Sequence, residues 1–394
     1  MPEKLTPDHL TTLLDHCSTE QQRRYIKAAI EHGGMRAAAR ALGVHDTTIV
    51  KCIKRASKNA ARRGYAPEYD MTRQVPDGFY AKGVSTYYNK DGQPAGQWVK
   101  SSIDNERQRQ LMLEAVKAVA QEYRGTSARI TAPRRTDADL MSVYPLGDPH
   151  VGLYAYSKET GVDFDLEIAQ RNLIAAADRV IDAGPDAETG IILSLGDFYH
   201  AETSENRSVN GGHSFDVDTR WSKVMLAGIM TMRRMIDRAL DKHKQVIVRC
   251  NAGNHDPHMS PMLAIALQMY YENNQRVLVD TSPAYYWFHR FGQVLIGSTH
   301  GDQCKPADLP GIMADEVASD WGESRFRYWY TGHIHTTNKT EYRGVVWESF
   351  RTLAGRDAWH AKKGYSAGRD MYAITHHREE GEIERHRVDV STLP

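Results

Sequence analysis

Apolar and polar positions change rhythm twice along this chain. In the first stretch they recur at helical spacing. Thr19 can cap a helix through Glu20–Ile30 that stops at Gly33-Gly34. An Ala-rich helix, Met35–Leu42, ends at Gly43, and Asp46 can cap a third helix with Ile49, Val50 and Ile53 on one face. Two helices joined by a glycine-containing turn form a helix-turn-helix pattern. From Gly64 to about Ser101 the texture shifts to Gly, Pro and Tyr. Asp91-Gly92 offers a turn between Tyr80–Tyr88 and Trp98-Val99, which predicts a β-hairpin whose aromatics pack against a neighbouring helix or, as the alternative, contact nucleic acid as a wing with its lysines. Ser101–Arg124 reads as a long helix with Leu111, Val116, Val119 and Tyr123 on its apolar face, and a polar linker runs from Gly125 to about Asp139.

The second change comes at Leu140, where short apolar runs begin to end in polar clusters. Leu140–Leu146 leads into Gly147-Asp148-Pro149-His150, and Ile191–Leu195 into Gly196-Asp197-Phe198-Tyr199-His200. Val246–Cys250 leads to Gly253-Asn254-His255-Asp256, Val294–Gly297 to His300-Gly301-Asp302, and Tyr328–Tyr330 to Gly332-His333-Ile334-His335. Strands followed by polar loops place side chains at the carboxyl edge of a sheet, where open α/β folds build their sites. A helix over Phe164–Asp182 fits a crossover between the first two strands. The expected organisation is a helix-turn-helix domain over 1–63, a hairpin, helix and linker over 64–139, and a catalytic domain over 140–394.

Charge sharpens this division. The whole chain is neutral, with 50 Lys+Arg against 50 Asp+Glu. Up to Tyr65, 12 basic residues face 6 acidic ones, so the head carries +6 and the remainder −6. A basic head on an acidic body points to a polyanionic partner. The chain has no apolar run of about 18 residues that would span a membrane, and Met1-Pro2-Glu3-Lys4 lacks a signal-peptide core. Cys17, Cys52, Cys250 and Cys304 form no C-x-x-C pair, so a reduced, cytoplasmic protein is expected.

Each polar cluster alone is commonplace; five in this order are not. From Leu140 onward the set resembles the calcineurin-like metallophosphoesterases, with every metal-ligand position of that pattern filled. The resemblance implies an α/β fold, a β-sandwich flanked by helices. It implies that Asp148, His150, Asp197 and His335 hold one divalent metal and Asp197, Asn254, His300 and His333 the other, with Asp197 shared. Manganese is the first expectation, with iron, zinc or magnesium as alternatives; borderline metals accept such mixed carboxylate, imidazole and amide ligands. A water between the ions would lose a proton and attack phosphorus. Alternation along an extended His333-Ile334-His335 would put both imidazoles on one side. His255 resembles the family's histidine that contacts the scissile phosphate and protonates the leaving oxygen, with Asp256 expected to orient it; the alternative for Asp256 is that it only caps the loop.

Two features favour DNA as substrate. Arg36–Val50 resembles the helix-turn-helix of DNA-binding regulators and small terminase subunits, with Arg23, Arg24, Arg40, His45, Thr47, Thr48, Lys51, Lys54 and Arg55 as candidate DNA contacts. Gly196–His200 resembles the corresponding motif of SbcD-type nucleases, in which the histidine, here His200, lies by the substrate phosphate. The 59 residues after His335 are few for that family's extra C-terminal domain, which argues against a partner ATPase of the coiled-coil SbcC type. A homo-oligomer is compatible with the sequence. The polar stretch Ala201–Trp221, with Arg207, Asn210, His213, Asp216, Asp218 and Arg220, is expected to rim the pocket, and Arg351, Arg356, Trp359 and His360 are further candidates. The expected activity is a two-metal DNA nuclease. The alternative is a phosphoprotein or nucleotide phosphatase or phosphodiesterase whose head is a protein-interaction module. A regulator with a dead enzyme domain is disfavoured, because no ligand is missing.

Overall fold

The computed structural model describes residues 7–67, 71, 75, 79–91, 94–103, 124–202, 206–207 and 214–393. The chain divides into two compact units, Met1–Ala115 and Val116–Pro394.

Among the described residues the first unit has the α-helices α1 (Pro7–Leu13), α2 (Glu20–Glu31), α3 (Met35–Leu42) and α4 (Asp46–Arg62). Thr19 caps α2 as expected, accepting from the Gln22 amide at 3.1 Å. Gly43 ends α3 in the left-handed region at φ 65°, a conformation glycine adopts without penalty. The cap of α4 is His45, not Asp46: the His45 ring accepts from the Thr47 amide, and Asp46 is the first helical residue. Sequence reading also missed α1, whose Leu10 and Leu13 bury against Ile26, Ala38, Ile49 and Ile53. The hairpin forms between β1 (Phe79–Tyr88) and β2 (Pro94–Ile103). Of its aromatics, Tyr80 is half-buried beneath Arg62 of α4 as expected, whereas Tyr87, Tyr88 and Trp98 are exposed. Ser101–Ile103, expected to begin a helix, instead end β2, and the rest of that expected helix up to Tyr123 lies outside the described residues.

The second unit is built on two sheets. One has the order β13-β12-β3-β4-β5-β6, formed by β3 (Asp137–Leu146), β4 (Ala187–Ser194), β5 (Gln245–Cys250), β6 (Val277–Asp280), β12 (Asp370–His377) and β13 (Gly381–Asp389). Strands β3 to β6 are parallel, and β12 and β13 add on antiparallel. The other has the order β10-β11-β9-β8-β7, from β7 (Trp287–Phe291), β8 (Val294–Ser298), β9 (Phe326–Thr331), β10 (Asn338–Tyr342) and β11 (Val345–Ser349).

Strand alternation explains how the sheets stack. Met141, Val143, Ile191 and Leu193 of the first sheet share a buried core with Val294, Ile296, Tyr328 and Tyr330 of the second. The intervening Leu295 and Trp329 belong to a separate core with Leu309 and Met313 of helix α8 (Leu309–Glu316). Helices α5 (Leu166–Ala183), α6 (Trp221–Lys242) and α7 (Met259–Tyr270) pack against the six-stranded sheet. Asp165 caps α5 by accepting from the Ile168 amide at 2.8 Å. This is an α/β sandwich of two sheets flanked by helices. Among the described residues no helix is long and apolar enough to cross a membrane.

Candidate metal centre

All five polar clusters follow the carboxyl ends of β3, β4, β5, β8 and β9, and the fold brings them together. Asp148, His150 and His335 form one group whose ligating atoms lie within 4.8 Å of one another, and Asp197, His300 and His333 form a second. The Asn254 Oδ1 lies 3.0 Å from the His300 Nε2 in the second group. Every residue expected as a metal ligand is therefore at the centre.

The backbone there is unusual. Asp148, His150, Asp197, His333 and His335 all have positive φ, between 44° and 67°. Only two other non-glycine residues among those described share this conformation, Asn206 and Arg343. Side-chain-bearing residues avoid this region unless their surroundings enforce it, and such strain gathers at functional sites. It corrects one expectation: His333 and His335 do not reach the centre by alternation along an extended segment. Their left-handed turns send His333 to the second group and His335 to the first. Close approach also requires glycine. A Cβ on Gly253 would lie 2.0 Å from the Asp197 Oδ1, and one on Gly332 would lie 2.5 Å from the Asp148 Oδ2.

The donor set fits a cation. The His300 Nδ1 donates to the Leu195 carbonyl at 2.9 Å, which leaves the lone pair on Nε2 in the neutral ring. That Nε2 lies 3.2 Å from the Asp197 Oδ2, 3.0 Å from the Asn254 Oδ1 and 3.2 Å from the His333 Nδ1. Two oxygens and two ring nitrogens thus converge around buried Asp197 and His300, with His333 at the exposed side. Burial opposes protonation of His300, but the Asp197 and Asp148 carboxylates outweigh it and lift its pKa to about 10. In the first group the His150 and His335 Nε2 atoms face each other at 3.2 Å, and the Asp148 Oδ1 lies 3.6 Å from the His335 Nε2. Mixed carboxylate, imidazole and amide sets of this kind suit borderline divalent metals.

Around the centre, His255 is held by two contacts. Its backbone amide donates to the Asp197 Oδ1 at 2.8 Å, and its ring Nδ1 donates to the His200 carbonyl at 2.9 Å. Asp256 does not orient it. The Asp256 carboxylate is fully buried and accepts from the amides of Asp197, Tyr199 and Gly253 at 3.0–3.1 Å and from the Ser260 hydroxyl at 2.6 Å. It clamps the second and third ligand loops together, because adjacent residues on the loop point different ways. His200 is also buried, with its Nδ1 3.3 Å from the His150 Nδ1 and its ring stacked beside His255. Burial pushes it down to about 3, so it is neutral and stands behind His150 and His255 rather than at an open surface.

Sequence reasoning missed three supports. Phe215 stacks on His255 with ring centroids 4.4 Å apart, Thr352 Oγ1 donates to the Asp148 carbonyl, and Glu202 accepts from both the amide and the ring of His258. Of the polar stretch after Ala201, Asp216 and Asp218 pin the segment to the first ligand loop through Tyr154 and Gly152, while Asn210 and His213 lie outside the described residues. Arg351 pairs with the buried Asp370, and Arg356 donates to the Thr160 and Tyr365 carbonyls. The expected DNA contacts belong to the other unit: Arg24, Arg40, His45, Thr47, Lys51, Lys54 and Arg55 are exposed there, and Arg23 and Thr48 partly so.

No family model matches the chain. No curated protein matches it either. Among solved structures it is similar to an archaeal phosphodiesterase, at 14% identity and a TM-score of 0.34, over 63% of this chain and 99% of that one. It is also similar to wild-type Vps29 of Entamoeba histolytica complexed with zinc, at 13% identity and a TM-score of 0.26, over 64% and 99%. A third similarity is to a conserved protein of Streptococcus pneumoniae described as a predicted phosphoesterase, at 9% identity and a TM-score of 0.26, over 64% and 98%.

Proposed function

We propose that this protein is a divalent-metal-dependent phosphodiesterase that acts on DNA, of the calcineurin-like metallophosphoesterase kind. The observation that carries the reading is the pair of groups Asp148/His150/His335 and Asp197/His300/His333 with Asn254, whose nitrogen and oxygen ligand atoms converge past the ends of five strands. These residues would hold two ions, with Asp197 between the groups. Bound there, such ions supply Lewis acidity toward phosphate oxygens and a nucleophile at neutral pH.

The chain's own groups supply the rest. His255 holds one proton on Nδ1, fixed by the His200 carbonyl, so the proton it can give or take is on Nε2. That atom is suited to protonate the leaving oxygen. His200 stays neutral behind it and, with Phe215, keeps the ring in place. Asp256 keeps Asp197 and the third ligand loop in register. The DNA preference rests on the basic head, whose exposed Lys51, Lys54 and Arg55 lie on α4 behind His45, Thr47 and Thr48. In a helix-turn-helix docking, the start of that helix would meet base edges and the flanking cations would meet phosphates.

Two assays on the full-length protein test this reading. With manganese, a chromogenic phosphodiester is expected to be cleaved well and the matching monoester poorly, with activity lost on chelation. Anisotropy titrations are expected to show DNA binding that weakens steeply with salt, and a less steep dependence for Lys51→Ala with Lys54→Ala. Monoester preference with no DNA affinity at low salt would replace the nuclease by a phosphatase.

A further inference from the structure

Beside His335 the fold leaves a cleft of about 250 Å³, bounded by Gly161, Gly355, Arg356, His360 and Tyr365. It is slightly smaller than typical ligand clefts of about 300–1,000 Å³, so it suits a single small group. An aromatic series leads from the metal centre through this cleft into solvent. The His360 ring stacks on His335, with centroids 5.1 Å apart and planes 16° apart. Trp359 lies 5.0 Å and Tyr365 5.9 Å from His360, and those two rings are 5.7 Å apart. Exposure rises outward: the His335 and His360 side chains are 17% and 26% exposed, while Trp359 and Tyr365 are 55% and 54% exposed.

The fold holds this series firmly near its base. Asp357 caps the helix α9 (Ala358–Lys363) at the His360 amide and also accepts from the His360 Nδ1 at 2.7 Å. Arg356 fastens both walls, donating to the Thr160 carbonyl on one side and the Tyr365 carbonyl on the other. The outer rings have no such burial, and two large exposed aromatics next to a catalytic cleft offer flat faces to a ligand. Lys362 and Lys363, both exposed, lie on the same short helix and suit a polyanionic ligand. Flat aromatic faces flanked by cations bind nucleobases by stacking while the charges follow the phosphates.

We propose that Trp359 and Tyr365, backed by His360, form a nucleobase-stacking subsite that seats the base next to the phosphate to be cleaved. This rests on the phosphodiesterase reading and narrows its substrate to nucleotides with an unpaired base, at a strand end or in single-stranded nucleic acid. A base held in a duplex stack has no free face to offer these rings.

The test compares thymidine 5′-(p-nitrophenyl) phosphate with methyl p-nitrophenyl phosphate, which differ in the nucleoside. The wild-type protein is expected to prefer the nucleoside ester, chiefly through KM. Trp359→Ala and Tyr365→Ala are expected to reduce that preference at least about fivefold, while Trp359→Phe keeps most of it. Both side chains are more than half exposed, so the fold does not depend on them. No preference in the wild type, or a preference intact in both alanine variants, overturns the subsite. If the wild type cleaves neither ester, the phosphodiesterase reading fails by itself. The subsite is then decided by equilibrium dialysis with thymidine 5′-monophosphate and deoxyribose 5-phosphate. Tighter binding of the nucleotide that is lost in Trp359→Ala supports it, and equal binding of the two refutes it.

Discussion

Replacing Asp256 separates two roles that a carboxylate beside His255 could have. The structure makes it an acceptor for four donors: its Oδ1 takes the amides of Asp197 and Gly253, and its Oδ2 takes the amide of Tyr199 and the Ser260 hydroxyl. Asp256→Asn keeps one oxygen and turns an NH2 toward the other pair. With the oxygen kept on Asp197 and Gly253, Ser260 can rotate to accept, but the Tyr199 N–H is left buried without a partner. A stranded buried donor costs about 1–3 kcal/mol, and the surviving bonds lose their charge assistance, so about 2–4 kcal/mol is expected in total. Asp256→Ala strands all four donors and should cost more than Asn, whereas Ser260→Ala should cost only about 1 kcal/mol. Urea unfolding followed by tryptophan fluorescence reads the relevant unit, because six of the seven tryptophans lie after Val116. If Asp256→Asn unfolds within about 0.5 kcal/mol of the wild type while turnover falls, Asp256 serves His255 and the clamp is wrong.

Two further outcomes concern half-buried His255 and buried His243. His255→Asn should lose about 10²–10⁴-fold in turnover, retain bound metal, and be least impaired on esters whose leaving group needs no proton; loss of metal would instead make His255 a ligand or a structural residue. His243 donates from Nδ1 to the Ala187 carbonyl at 2.7 Å and accepts at Nε2 from the Tyr144 hydroxyl at 2.8 Å, and burial pushes it down to about 4. Its unfolded form binds a proton near pH 6.5, so the unfolded state holds more protons between those values. The neutral ring's stabilisation is complete above about pH 6.5 and is lost as pH falls toward about 4, by up to roughly 3 kcal/mol. His243→Asn keeps a donor at the Nδ1 position and does not titrate, so its stability should fall less steeply over that range; equal slopes in urea unfolding at several pH values would contradict this.

Much of the centre was legible because its chemistry is local. An apolar run that ends in a glycine and a ligand is visible in one dimension, and all five such runs became strands β3, β4, β5, β8 and β9. The edges of the sheets were not. β13 reads Gly-Glu-Ile-Glu-Arg-His-Arg-Val-Asp, a charged edge strand whose Arg385 answers Glu348 in the other sheet. β12 buries Asp370, Thr375 and His376, which breaks the apolar pattern. The partner of Asp256 was misread because neighbours in sequence need not face each other: its donors come from positions 59 and 57 residues earlier as well as from the same loop. Left-handed backbone at Asp148, His150, Asp197, His333 and His335 falls on Asp and His, types enriched in that region, but residue type does not mark which of the chain's many Asp and His adopt it. That conformation is imposed by the surrounding fold on residues that would otherwise avoid it.

The central claim is that the converging side chains are a metal centre with Asp197 shared between its halves. Metal stoichiometry measured by mass spectrometry, on protein dialysed against manganese and then freed of unbound ion, tests it most directly. The wild type should retain two ions per chain, and Asp197→Asn should weaken both, so that less than one ion is retained under the same conditions. A wild type that retains none, or an Asp197→Asn variant that retains the full wild-type complement, would contradict the account.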